Sequence, residues 1–247
     1  MEVHHHPKVE KKNFKEYFLE FLMIFLAVTM GFIAENIREH ITDNQRETEY
    51  VQSLYNDMEQ DSANIQLVEL RNNLQIKVFD SLILLIQQPS LDSNEINRLY
   101  FFARFATRTT NFEPTNRTIS QLNNSGNFRL IRNVSLADSI LDYERRLSIF
   151  EENHIVSGEE QKLLYPFIAT IFEANVFQTM VDSLTNFIYP PAGLHTIDAS
   201  DKKLIRQFIY YLHQVKSTRV AEKINLQRIT QETSTIRNII KANYKIE

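Results

Sequence analysis

Five arginines form the clearest charged cluster in the sequence. They lie within residues 104–132, where Glu113 is the only acid. Guanidinium groups bind carboxylate, phosphate or sulfate with paired hydrogen bonds, so the cluster could hold an anionic ligand or an acidic partner. The alternative is that the side chains are solvated or pair with acids such as Asp138, Asp142 or Glu144, which is the commoner situation for surface arginines. The candidate site residues are Arg104, Arg108, Arg117, Arg129 and Arg132.

A histidine triplet near the N-terminus is the only candidate for metal binding. Imidazoles are ligands for zinc, copper and nickel, and His4, His5 and His6 could chelate through alternate residues. A defined site needs further ligands and a second shell, so the triplet could equally be a partner-docking head or a fragment of a tag. Among the remaining histidines, His154 continues a helical line of apolar residues and is expected to be a core or boundary side chain.

Several classes of chemistry find no support in the sequence. There is no cysteine, which removes disulfides, thiolate nucleophiles and cysteine-ligated metals together. Motifs for nucleophilic serine, for nucleotide phosphates and for H-E-x-x-H zinc sites are also missing. The net charge of −4 gives no reason to expect nucleic acid as a partner. We therefore predict a protein that is not an enzyme and has no cofactor.

An uncharged apolar run from Phe21 to Ala34 predicts a membrane anchor. The helical pattern extends beyond this run on both sides, towards the length of about twenty residues that a span requires. A cleaved signal peptide and a buried core helix are the alternatives, but the run is apolar on every face, which favours the anchor. The predicted organisation is a cytoplasmic head at 1–14, a transmembrane helix at 15–37 and an extracytoplasmic helical bundle at 38–247.

Basic residues around the span predict its orientation. Four lysines precede it, at positions 8, 11, 12 and 15, whereas only Arg38 and Arg46 follow it closely. Because lysine and arginine are enriched on the cytoplasmic side, the N-terminus should be cytoplasmic. The main domain should then be periplasmic, in a protein of the inner membrane.

The elements that must position these residues are helices. Only four glycines occur, and tight hairpins and sheet bulges need such residues. Apolar residues recur at helical spacing through Val51–Ile86 and again through Leu204–Ile240. The predicted fold class is therefore all-α, an N-terminal transmembrane helix followed by an elongated antiparallel bundle in which these two helices pair.

Local signals predict the shorter elements and their ends. Pro89 should end the first long helix, and Asp92 with Glu95 should form a capping box for the next. A short helix is expected at 118–124, and a long one from Asn133 that Gly158 and Pro166 break or kink. Residues 163–187 look like buried helix, and Asp198 or Ser200 should cap the last helix.

Two segments resemble a group of uncharacterised membrane proteins of Bacteroidetes-type bacteria. One is the N-terminal block MEVHHHPKVEKKNFKEYFLEFLMIFLAVTMGFIAENIREH, and the other is TISQLNNSGNFRLIRNVSLADSILDYE at 118–144. The resemblance implies an inner-membrane anchor and a periplasmic helical domain. It implies no activity and no catalytic residue.

Two functions remain in competition on these grounds. The first is a non-catalytic, membrane-anchored interaction protein or accessory subunit of a cell-envelope complex. Its expected partners are membrane lipid and other envelope membrane proteins, with a homo-oligomer as a further arrangement. The second is a periplasmic sensing domain that binds an anionic ligand near the 104–132 arginines.

Overall fold

The computed structural model describes residues 13–246, and these residues form an all-α protein. They contain no strand, only two isolated β-bridges in the connecting segments. A single turn of 3-10 helix, Asn127–Leu130, lies between α3 and α4. The α-helices are α1 (Phe14–Ile86), α2 (Ser93–Ala106), α3 (Arg117–Asn124), α4 (Val134–Lys162), α5 (Tyr165–Ile171), α6 (Ala174–Thr179) and α7 (Lys202–Asn243).

The chain divides into two compact units, Met1–Tyr50 and Val51–Glu247. Within the described part of the first unit, α1 carries an apolar window long enough to cross a membrane, and none of this window is buried. No other helix among residues 13–246 has this property. The first unit is therefore compatible with a membrane anchor.

In the second unit, α7 runs antiparallel to the α1 segment that begins at Val51. Ser62 contacts Thr233 with 3.0 Å between their hydroxyl oxygens, and Asn72 Nδ2 donates to the Arg219 carbonyl at 2.9 Å. Lys216 pairs with Asp80. In these contacts the residue number increases along α1 and decreases along α7. The two helices are therefore antiparallel, which confirms their predicted pairing.

The third long helix, α4, also runs antiparallel to α7. Arg146 lies 3.6 Å from Glu232, and His154 Nδ1 lies 3.1 Å from a carboxylate oxygen of Glu222. Since α1 and α4 both oppose α7, they run parallel to each other. The centre of the second unit is thus a bundle of three long helices.

The shorter helices complete the core around the C-terminal half of α1. Apolar side chains from α1, α2, α5, α6 and α7 form one cluster there, centred on residues such as Phe79, Leu99 and Phe208, which are fully buried. Full burial of each such side chain contributes about 1.5–3 kcal/mol. Tyr100 joins this cluster to the loop before α7, because its hydroxyl donates to the Thr196 carbonyl at 2.8 Å. The cluster therefore fixes α2, and with it the arginines at the end of α2.

Local capping signals are partly confirmed. Asp92 and Glu95 form the predicted capping box of α2, and α3 ends just before Gly126, whose φ of +68° is the left-handed conformation that glycine favours. The predicted N-cap of α7, Asp198 or Ser200, was wrong. The cap is Asp201, whose carboxylate accepts hydrogen bonds from the backbone N–H groups of Lys203 and Leu204.

Two predictions for the region after residue 150 were also wrong. Gly158 does not interrupt α4, because one glycine costs a helix interior only about 1 kcal/mol relative to alanine and buried neighbours such as Gln161 hold this turn. Residues 163–187 are not one buried helix but the short helices α5 and α6 followed by a loop, in which Leu184 is 94% exposed. The predicted break at Pro166 is confirmed, because α4 ends at Lys162 and Pro166 lies in the first turn of the next helix, α5, where its missing N–H costs nothing.

Candidate functional site

Two of the five predicted arginines line a common cleft at the end of α2. Arg104 lies in the last turn of α2 and Arg108 lies just beyond it. The cleft, which we call the arginine cleft, encloses about 450 Å³, a size typical of small-molecule sites. Its lining residues are Arg104, Thr107, Arg108, Tyr165, Ile168, Ala169, Phe172, Ala174 and Phe177.

The two arginines of the cleft have few bonding partners among residues 13–246. Arg104 Nε is buried and has no hydrogen-bond partner in the described part of the chain. Arg108 Nη2 donates to Asn186 Oδ1 at 3.4 Å, a long and weak bond. None of the lining residues is acidic. The cleft is consequently a positively charged surface next to an apolar one.

The backbone of Arg108 is held firmly even though its side chain is not. Its carbonyl accepts a hydrogen bond from Gln161 Nε2 of α4 at 2.8 Å and another from Gln75 Nε2 of α1. Gln161 also donates to the Ala106 carbonyl. These bonds satisfy the carbonyls at the C-terminus of α2 that have no helical partner and fix the direction in which Arg108 leaves the helix.

Arg117 has a different role, as part of what we call the carboxylate clasp. The clasp consists of Asp57 and Asp61, one turn apart on α1, and the groups that bind them. Asp57 is 0% exposed, and it lies 2.6 Å from Arg117 Nε. It also accepts from the backbone N and hydroxyl of Thr118, at 3.1 and 2.6 Å. The first turn of α3 is therefore tied to α1 by three hydrogen bonds to one carboxylate.

Asp61 binds the segment that leads into α3. Its carboxylate accepts from the backbone N of Thr115 at 2.7 Å and from the hydroxyl of Tyr143 on α4. Burial and the neighbouring charge of Asp61 raise the pKa of the Tyr143 hydroxyl above its ordinary value, so the hydroxyl remains a donor. The clasp thus joins α1, α3 and α4.

The last two predicted arginines, Arg129 and Arg132, are exposed and lie outside the lining of the cleft. The structure therefore groups only Arg104 and Arg108. The alternative that arginines pair with Asp138, Asp142 or Glu144 does not describe Arg117, whose partner is Asp57. Asp142 pairs with Arg145 instead.

Sequence reasoning missed a buried polar layer between α4 and α7. Arg219 is 0% exposed, and it donates to Glu222 at 2.6 Å and to Gln161 Oε1 at 2.9 Å. Burial raises the pKa of the Glu222 carboxyl, but the hydrogen bond from His154 and the charge of Arg219 outweigh it and leave that pKa below its ordinary value. The signal was present, because Arg219 and Glu222 continue the apolar line of α7 at helical spacing.

The predicted metal ligands His4, His5 and His6 lie outside the described residues. Within residues 13–246, no three or more histidine, aspartate or glutamate side chains come together in a way that could hold a metal ion. His154 has the predicted boundary position, partly buried and hydrogen-bonded to Glu222.

Comparison of the chain with protein-family models, with curated proteins and with solved structures gives no match. The resemblance to the Bacteroidetes group therefore stays a prediction, and function has to be argued from the surfaces and sites of the molecule itself.

Proposed function

We propose that the chain is a non-catalytic, membrane-anchored interaction protein that acts as an accessory subunit of a cell-envelope complex. The observation that carries this proposal is a line of exposed leucines on α1, Leu67, Leu70 and Leu74, which we call the leucine face. Their exposed fractions are 57%, 59% and 51%. Leucine side chains aligned on an outer helix surface are typical of protein interfaces.

The spacing of these leucines supports a helix as the partner. Steps of three and four residues place them along one side of α1, as in the a and d positions of a coiled-coil seam. The core residues Val68, Asn72 and Phe79 lie on the opposite side of the helix. The leucines therefore contribute nothing to the bundle core and are free to pack against another helix.

Charges beside the leucine face favour an acidic partner over a second copy of the chain. At 3.6 residues per turn, Arg71 and Lys77 border the face on its two sides, and both are exposed. Glu69 points well away from it. Two copies packed through this face would bring these basic residues into the same seam. A partner helix with an apolar stripe bordered by aspartate or glutamate would be attracted to it.

The anchor and its orientation belong to the same proposal. The unburied apolar window of α1 and the four lysines before it support a span with a cytoplasmic N-terminus and a periplasmic domain. The partner is then an envelope membrane protein with a helix in the periplasm. Surrounding lipid contacts the anchor itself.

Single-cysteine variants test the docking surface cleanly, because the chain has no cysteine of its own. In cells with a permeabilised outer membrane, Leu70→Cys should react slowly with a maleimide until detergent dissociates the complex. Arg145→Cys, an exposed position on α4, should react equally before and after. A cysteine-reactive crosslinker should join Leu70→Cys to one other protein. The added change Lys77→Glu should weaken that product, whereas Arg145→Glu should not.

Three results would overturn the docking proposal. Equal labelling at the two positions would mean that the leucine face is uncovered. A crosslinked product of two identical chains would assign the face to a second copy. Protection that persists when the purified protein is placed in lipid vesicles would assign it to the membrane surface.

The same cysteine strategy tests the orientation. A membrane-impermeant maleimide added from the periplasmic side should label Arg145→Cys and leave Val3→Cys in the head unlabelled. The reverse pattern would place the main domain in the cytoplasm.

A further inference from the structure

We propose that the arginine cleft binds a small carboxylate with an apolar body, such as an aryl- or alkyl-substituted acid. This inference goes beyond the docking function, because the cleft and the leucine face share no residue. The sequence predicted an anion-binding site among five arginines. This proposal restricts the site to Arg104 and Arg108, the two that line one cleft.

Arg104 and Arg108 would bind the charged end of the ligand. Arg104 is in the last turn of α2 and Arg108 lies just beyond it, and both line the cleft. Among residues 13–246, the side chain of Arg104 makes no hydrogen bond or ion pair, and its Nε is buried, so its terminal guanidinium nitrogens are the atoms that a ligand in the cleft would bind. A carboxylate matches the planar fork of guanidinium with two parallel hydrogen bonds. It would bind the terminal nitrogens of Arg104 and replace the weak bond between Arg108 and Asn186.

The apolar end of the ligand is set by the opposite wall, which α5 and α6 provide. Ile168, Phe172 and Phe177 line it. The rings of Phe172 and Phe177 lie 5.8 Å apart, and both pack against Tyr100, at 5.1 and 5.4 Å. Because Tyr100 is fully buried in the core, this wall is rigid and already formed without a ligand, which reduces the entropy cost of binding.

Both walls together exclude simpler ligands. Inorganic phosphate would meet the arginines but would leave the aromatic wall in contact with water. A neutral aromatic compound would cover the wall but would leave the guanidinium groups of Arg104 and Arg108 without a countercharge. Only a molecule with both parts uses the whole cleft.

The test uses the full-length chain in neutral maltoside micelles and isothermal titration calorimetry. The probe is 3-phenylpropionate, and the matched controls are 3-phenylpropanamide, which has the same shape without the charge, and inorganic phosphate. We expect saturable binding of 3-phenylpropionate, with the amide and phosphate each at least about tenfold weaker, since a hydrogen bond to a charged group is worth at least that factor. No saturable binding of the acid would refute the proposal, and so would equal binding of the amide or of phosphate.

Variants then assign the binding to the cleft. Arg104→Gln and Arg108→Gln should each weaken 3-phenylpropionate about tenfold or more, while Arg129→Gln, an exposed arginine outside the cleft, should leave the affinity unchanged. Arg104→Lys keeps the charge but loses the fork, so it should bind with intermediate affinity. Circular dichroism of each variant checks that the helices are intact. Equal loss in all variants, or no loss in any, would show that the acid binds elsewhere or only partitions into the micelle.

Discussion

The interior of the bundle and the arginine cleft both contain buried guanidinium nitrogens. They differ in whether a carboxylate lies beside the charge. Arg219 is fully buried, and although its Nε has no partner among the described residues, its terminal nitrogens bind Glu222 and Gln161. Arg104 also has a buried Nε without a partner, and the cleft that it lines contains no acid. Among residues 13–246, the charge of Arg219 is therefore paired with a carboxylate and the charge of Arg104 is not.

This difference separates a structural role from a binding role. A buried charge is tolerated when an opposite charge and further hydrogen bonds accompany it. The polar layer around Arg219 and the carboxylate clasp around Asp57 meet that requirement entirely from within the chain. For Arg104 and Arg108, no acid lines the cleft, and the proposed ligand would supply the anion. The two regions should therefore respond differently to mutation, to pH and to salt.

The largest effect should follow from removing the acid that neutralises Arg219. Glu222→Gln leaves a fully buried guanidinium without its countercharge, so the free energy of unfolding should fall by about 3–5 kcal/mol. Urea unfolding of the full chain in maltoside micelles, followed by circular dichroism, measures this. Glu232→Gln is the matched control, because Glu232 also pairs α7 with α4 but is partly exposed and 3.6 Å from Arg146. It should cost no more than about 1 kcal/mol.

The pH dependence of the same variant has a defined sign. A carboxyl whose pKa is lowered in the folded state adds stability above its ordinary pKa of 4.5. That contribution is lost as the pH falls through the folded-state value. The gap in stability between the wild type and Glu222→Gln should hence be largest near neutral pH and shrink below about pH 4.5. A gap that stays constant down to pH 3 would mean that Glu222 does not carry the charge assigned to it.

An intermediate effect should follow from opening the carboxylate clasp. Asp57→Ala removes three hydrogen bonds and leaves the buried backbone N of Thr118 without an acceptor, so a loss of about 2–3 kcal/mol is expected. Trypsin should also cleave faster after Arg117. Asp80→Ala, which removes a half-exposed pair with Lys216 on the same helix, should cost less than about 1 kcal/mol. Similar losses in the two variants would show that the clasp holds α3 no more tightly than a surface ion pair.

The fold was predictable from the sequence to a greater extent than the site. Scarce glycine and apolar residues at helical spacing were enough to predict the helices and the antiparallel pairing of the two longest, because both signals are local. The partner of Arg117 was not predictable in the same way. Rules of helical spacing find pairs such as Arg145 with Asp142, three residues apart, whereas Asp57 is 60 residues from Arg117 and meets it only after the helices pack.

The prediction of one buried helix at 163–187 failed because it considered only local composition and not the contacts that form on folding. The aromatic and apolar residues of this segment indicated one buried helix, but Phe172, just after α5, and Phe177 of α6 both pack against Tyr100. The wall of the arginine cleft is made by this arrangement. The cleft forms between residues 104–108 and 165–177, which are far apart in the sequence, so no local pattern predicts it. The sequence therefore indicated the arginines but not the apolar wall that faces them.

Substitutions in the arginine cleft should have the smallest effect on the free energy of unfolding. The size of that effect tests whether these arginines differ from Arg219. Arg104→Gln and Arg108→Gln remove no ion pair formed among residues 13–246, and the two like charges that line one cleft repel each other. Each variant should thus unfold within about 0.5 kcal/mol of the wild type, as variants of surface residues without structural bonds usually do. Added sodium chloride, which screens exposed charges, should reduce the difference, since the repulsion in the wild type weakens. A loss of 2 kcal/mol or more in either variant would place that arginine with Arg219 as a structural residue, since it would mean that the fold depends on its contacts.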